Sequence, residues 1–317
     1  MRSKFSSIIL VVIFIIGLCL VLYPSVASYW NSRVQSRAIY DYEQMLKSMS
    51  QEDYSAFFYE AELYNKEIAK VPFPFMYYDQ VAGYEDILDI TGTGIMGYVG
   101  IEKIGVELPI YHGTSKEVLN VAAGHLQGSC FPIGGLDSHA VISAHRGLPS
   151  ARLFTDLDRL EEGDIFTVTI LDRIITYEVD QIMIVTPDDV EGLYVQGGED
   201  HCTLITCTPY GINTHRLLVR GARIDTITDK PAIYVPNEAY RIDPIIVTPA
   251  VALPMLIVLL IYLMVKYRDT GESSESAAGK EAPKEENPQK VKKEKSPKKK
   301  KGKKNEAETK DIPGDTE

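Results

Sequence analysis

Cysteine and tryptophan are scarce in this chain of 317 residues, at four and one. No two cysteines form a CxxC pair and no Cys/His spacing matches a zinc site, so no metal and no cofactor is expected. Basic residues are scarce where a nucleic-acid reader would need them. Residues 24–243 hold 16 of them against 32 acidic ones, which leaves no electrostatic footing on a phosphate backbone. An internal repeat is also missing. What remains is a chain with 45% hydrophobic and 24% charged residues, enough apolar material for folded domains.

Charge is absent from two long stretches. Phe5 to Ser32 is uncharged, and Ile8–Val21 is almost wholly aliphatic. Pro244–Val265 is a second uncharged run, of 22 residues. At about 1.5 Å per residue such a helix reaches roughly 33 Å, against roughly 30 Å of bilayer hydrocarbon. Pro249 and Pro254 are tolerated inside a membrane. Arg2 and Lys4 precede the first run, Lys266 and Arg268 follow the second, and Lys290–Lys304 packs ten lysines against one glutamate. Positive charge marks the cytoplasmic side, so both ends are expected inside and residues 24–243 outside the cell. Ser25-Val26-Ala27 also resembles a signal-peptidase site; a cleaved signal would export the same domain. The tail from Asp269, rich in Lys, Glu, Ser and Pro, is expected to be disordered. Its lysines either meet anionic lipid or simply fix topology.

Between the two runs, Ser28–Lys70 reads as helical. Val34, Ala38, Tyr42, Met45 and Met49 recur at helical spacing, and Ser50 with Asp53 offers a capped start for a second helix. The aromatics of that helix read as packing surface. Val71-Pro72-Phe73-Pro74 stops it, and residues 71–93 read as a loop. From Gly94 onward short β-rich runs alternate with Gly, Pro and Asp: Gly97–Ile101, Ala140–Ser143, Ile165–Ile170, Ile174–Asp180, Ile182–Val185, Thr203–Cys207 and Arg216–Ile224. The pattern predicts a mainly β barrel or sandwich. The expected organisation is an N-terminal membrane segment or signal peptide (1–27), a helical region with a lid-like loop (28–93), a β domain (94–225), a linker (226–243), a membrane helix (244–265) and a Lys-rich tail (266–317).

The exported part carries Cys130, Cys202 and Cys207, an odd number, so at least one thiol is free or paired between molecules. Cys207 has the best context for chemistry. It ends a strand directly before Thr208-Pro209-Tyr210-Gly211, and a hairpin over Thr208–His215 can set Arg216 beside it. A neighbouring cation favours thiolate and can stabilise an oxyanion. A thiol nucleophile also needs a proton-handling partner. His112, His125, His139, His145, His201 and His215 compete, and although His145 follows an apolar strand, spacing scarcely separates it from His125 or His215. A buried pair of inert thiols and a disulfide are both open for Cys130 and Cys202. Arg220 reads as a solvated strand face or a second charge near the site.

Thr203-Leu204-Ile205-Thr206-Cys207 resembles the TLxTC signature of sortases, the membrane-bound cysteine transpeptidases of Gram-positive bacteria. The segments Cys207–Gly221, Ser143–Pro149 and Leu108–Thr114 are similar to the class C, pilin-polymerising branch. The resemblance covers roughly residues 54–225. It implies an eight-stranded β-barrel with N-terminal helices, flanked by two transmembrane segments. It assigns the nucleophile to Cys207, the imidazole acid/base to His145 and the guanidinium to Arg216. It further implies cleavage of an LPxTG-like sorting signal between Thr and Gly, a thioacyl enzyme, and transfer to the amine of a pilin lysine at the outer face of a Gram-positive cell membrane. Transfer to cell-wall peptide, or a catalytically inactive binding barrel, are the alternatives. One departure stands out: class C enzymes often carry an Asp-Pro-aromatic lid over the cysteine, and residues 71–93 contain no Asp-Pro pair. Tyr77, Tyr78 and Tyr84 read as loop packing.

Overall fold

The computed structural model describes residues 2–226, 253–263 and 265. The expected linker from residue 227, residues 244–252 and 264 of the expected membrane segment and the 266–317 tail lie outside the described residues. Helix α1 spans Arg2–Leu46 without interruption, with Pro24 inside its apolar half. The first uncharged run and the helical stretch after it are therefore one element, with no break at residue 27. Among the described residues, α1 is the one helix long and apolar enough to cross a membrane; Leu253–Leu263 is a shorter apolar helix. Helix α2, Gln51–Ile68, begins at a capping box in which the Ser50 side chain accepts from Asp53 N–H and the Asp53 carboxylate accepts from Ser50 N–H.

Eight strands follow: β1 Ile95–Ile101, β2 Val106–His112, β3 Ala123–His125, β4 Ser138–Ser143, β5 Ile165–Ile170, β6 Arg173–Val185, β7 Asp200–Thr208 and β8 His215–Ile224. They close into a barrel in the order β1-β2-β3-β4-β7-β8-β6-β5. The β2–β3 and β4–β7 pairs are parallel and the others antiparallel. Two expected runs fuse into β6, with a register irregularity between Val179 and Gln181. Strands β2 and β3 escaped the sequence pattern for physical reasons. Pro109 interrupts β2, and a proline inside a run argues against a strand, whereas β3 has only three residues.

Alternation along β7 sends its side chains to two different cores. Cys202 and Leu204 join Ala140, Ile142, Val168, Leu217 and Val219 inside the barrel. Ile205 points the other way and packs with Val141, Leu218 and Leu193 beneath the connection between β6 and β7. A strand covered on both faces reads as a continuous apolar run, and every residue of β7 except Cys207 is buried. Cys130 and Cys202 are free, buried thiols, which decides between their two readings. Burial pushes the Cys130 thiol up to about 11. Arg220 is partly exposed and pairs with Asp180, its Nε lying 3.1 and 3.2 Å from the two carboxylate oxygens, on the strand face that the sequence suggested.

Helix α1 is fastened to the barrel through Tyr42, which is fully buried. Its hydroxyl donates to Met96 O at 2.8 Å and accepts from Leu171 N–H at 2.8 Å, tying α1 to β1 and to the β5–β6 turn. Tyr42→Phe strands a buried donor and a buried acceptor together. It is expected to lower unfolding free energy by about 1–3 kcal/mol, measured by denaturant titration in detergent.

Candidate active site

The parallel pairing of β4 with β7 sets residues 138–143 beside 200–205, one to one. The register continues past the strand end, where Ala144 N–H donates to Ile205 O at 3.1 Å. His145 therefore emerges at the level of Cys207. On the other side, Cys207 is the direct cross-strand partner of Arg216 on β8. Three neighbouring strands thus deliver a thiol, an imidazole and a guanidinium to one level. All three line a cleft of about 320 Å³, together with Leu126, Val190 and Asp189.

Two threonines fix this arrangement. Thr206 Oγ1 donates to Ala144 O at 2.8 Å, and Thr208 Oγ1 accepts from Arg146 Nη1 at 3.3 Å. The residues on either side of Cys207 therefore hold the residues on either side of His145. Arg146 is itself paired with Asp158, and its guanidinium lies 5.9 Å from the centre of the Tyr210 ring. Gly147, at φ +75°, allows Tyr210 to close in: a Cβ there would lie 2.9 Å from the ring. Arg216 Nη1 donates to the carbonyls of His215, at 3.1 Å, and Asn213, at 3.4 Å, which aims the guanidinium along the β7–β8 turn. Burial, and next to it the Arg216 charge, hold the His145 imidazole below its ordinary value of 6.5.

The other five histidines have structural partners. His125 is fully buried, with Tyr84 Oη 3.0 Å from Nδ1 and Cys130 O 2.8 Å from Nε2, and burial pushes it down to about 3. His112 faces Gly94 O and Ile87 O. His139 sits between Tyr194 O and Thr203 Oγ1 and is pushed down to about 4 by burial. His201 packs on His139 at 5.5 Å between ring centres, and His215 meets the Thr214 hydroxyl. Among the described residues no group of three or more His, Cys, Asp or Glu side chains is arranged to hold a metal ion.

Phe75 is an aromatic cleft residue that the sequence reading missed. It lines the cleft with Cys207, packs against the Ile205–Leu218 cluster and approaches the Tyr194 ring at 5.6 Å. Gly128, at φ +91°, admits this loop, since a Cβ would stand 2.5 Å from Pro74 O. The available signal was an aromatic after a proline, Pro74-Phe75, without the aspartate that was sought. Tyr84 is buried, donates to His125 O and accepts from Gly113 N–H, which is loop packing; Tyr77 and Tyr78 are exposed. Phe75→Ala removes the ring from the cleft. Labelling of Cys207 by a small neutral thiol reagent is expected to rise several-fold, with unchanged circular dichroism, followed by intact mass.

Residues 99–224 match the sortase domain model. The chain is 47% identical to sortase C1 from Streptococcus agalactiae over 60% of its own length and 99% of that chain, with a TM-score of 0.56. A second structure, described as a pilus-related sortase C of Group B Streptococcus, is 41% identical, covering 59% of this chain and 96% of that one at a TM-score of 0.52. Among curated relatives, sortase D of Bacillus subtilis is 30% identical over 131 residues, which span 40% of this chain and 63% of the relative's length. A matching domain, a near-complete structural counterpart and a shared closed barrel lead to one conclusion: this chain belongs to the sortase family.

Proposed function

We propose that the chain is a cysteine transpeptidase that cuts an LPxTG-like sorting signal between Thr and Gly and joins the Thr carboxyl to a pilin lysine. The observation that carries this reading is the convergence of Cys207, His145 and Arg216 in one cleft, on β7, just past the end of β4 and on β8. Cys207 Sγ gives its proton to the His145 imidazole and attacks the Thr carbonyl carbon. The tetrahedral oxyanion develops beside the Arg216 guanidinium. As the C–N bond breaks, the His145 imidazolium protonates the departing Gly amine and a thioester remains on Cys207. The lysine amine then attacks the thioester, His145 accepts its proton, and collapse returns it to the sulfur as the isopeptide bond forms. No nucleotide is consumed, because the thioester keeps the acyl group reactive.

The pilus-related neighbour supports pilin as the class of partner, and the apolar half of α1 supports attachment to a Gram-positive membrane. In this reading the barrel is extracellular and the Lys-rich tail cytoplasmic. Transfer to a cell-wall amine would use the same first half-reaction, so the acceptor is what separates the two.

Incubation with a sorting-signal peptide is expected to leave a thioacyl adduct on Cys207, detected by intact mass, with release of the Gly-started fragment. Cys207→Ala is expected to give none; an adduct in that variant would refute the assignment. Pilin whose acceptor lysine is changed to arginine is expected to lose its polymer ladder, and continued polymerisation would reject the pilin-lysine step. The pH profile has a defined sign. The His145 value is lowered from 6.5, so its neutral form persists below that pH and the acidic limb of kcat/KM is expected below 6.5. Arg216→Gln removes the repelling cation and is expected to move that limb upward while lowering the rate.

A further inference from the structure

Helix α1 does more than reach the membrane. Its exposed aromatics Tyr23, Tyr29 and Trp30 close the apolar run, and Arg33 follows, with its guanidinium 5.3 Å from the Tyr29 ring. Aromatic and basic side chains in this order mark the lipid–water boundary. Along this band and beyond it α1 borders the barrel, and Ser25, Ser28 and Tyr29 share a cavity with residues 105–108 and 151–153. Asn31 Nδ2 donates to Ser150 O at 2.9 Å, and Gln35 Nε2 donates to Val121 O at 2.6 Å. Ile39 and Tyr42 continue the contact as buried side chains.

Ser150 belongs to the loop that leaves and re-enters the fold at His145, where Phe154 N–H donates to His145 O at 3.1 Å. Asn31 lies one residue past Trp30, about 1.5 Å along the helix axis. The Ser150 carbonyl is therefore held at the boundary itself. Five residues of chain reach at most about 17 Å, so His145 lies within that distance of the Ser150 carbonyl.

We propose that Asn31 and Gln35 are positioning residues. They clamp the barrel to α1 in one orientation and turn the His145 rim of the cleft to the bilayer, making α1 a rigid strut. The proposal rests on the transpeptidase and membrane readings above and adds how the donor is met. An extended five-residue signal emerging from the same bilayer also spans about 17 Å, and so reaches the cleft with no linker. The clamp supplies effective concentration and orientation, which leave the chemistry at Cys207 untouched.

The test uses the full chain in proteoliposomes with two donors: a soluble sorting-signal peptide, and the same signal fused directly to a membrane-spanning anchor. Unaltered enzyme that cleaves neither donor would refute the transpeptidase reading and is thereby separated from failure of the clamp. In N31A/Q35A, cleavage of the soluble peptide is expected to stay within about twofold, while cleavage of the anchored donor falls about tenfold. Equal loss on both donors, or on neither, overturns the proposal. A second variant leaves every clamp contact intact. Seven helical residues inserted after Trp30 raise the barrel by about 10 Å with only about 20° of rotation. The anchored donor is expected to lose about tenfold, and a 20-residue Gly/Ser spacer between signal and anchor is expected to restore most of it. Undiminished cleavage of the directly anchored donor by the insertion variant overturns the proposal.

Discussion

The parallel contact between β4 and β7 is the constraint on which the site depends. A parallel pair cannot be closed by a tight turn, so these strands are brought together across the whole connection that contains β5 and β6. Once paired, their one-to-one register is carried past the strand ends by the Ala144–Ile205 and Thr206–Ala144 hydrogen bonds. The imidazole and the thiol are not placed independently. Each is a side chain on one of two backbones that share a ladder, and a slip of one residue would turn Cys207 into the barrel.

The same geometry explains why β7 can be so apolar yet end in a partly exposed thiol. Its inner face belongs to the barrel core and its outer face is roofed by Leu193. Burial relaxes only at Cys207. His112, His125, His139 and His201 are buried in the packed body of the fold, and His215 is partly exposed beside Thr214, whereas His145 lines the cleft that holds Cys207. Partial burial and a neighbouring cation keep its imidazole neutral enough to accept a proton.

Much of the architecture was legible because it is written in local chemistry. The Ser50–Asp53 cap, the uncharged stretch inside α1 and most barrel strands follow from periodicity and breakers. The interrupted β2 and the three-residue β3 were not, since neither leaves a period long enough to see. Local pattern brought Cys207 and Arg216 together as a hairpin pair. It could not choose His145 from six histidines, because that choice is made by parallel register between distant segments; the family resemblance supplied it. Phe75 was hidden for a similar reason: what brings it to Cys207 is close passage over Gly128, a contact that sequence neighbours do not encode.

Strand alternation also segregates the sulfur atoms of the barrel domain. Cys202 lies inside the barrel, five residues along β7 from Cys207 and on the opposite side of the sheet. Cys130 N–H bonds to His139 O, and His139 pairs with His201, six residues from Cys207 or about 20 Å along the strand. Bridged cysteines need Cα atoms within about 7 Å. Cys207 consequently has no partner for a bridge in either Cys130 or Cys202, so the fold keeps this thiol free of intramolecular cross-linking to them.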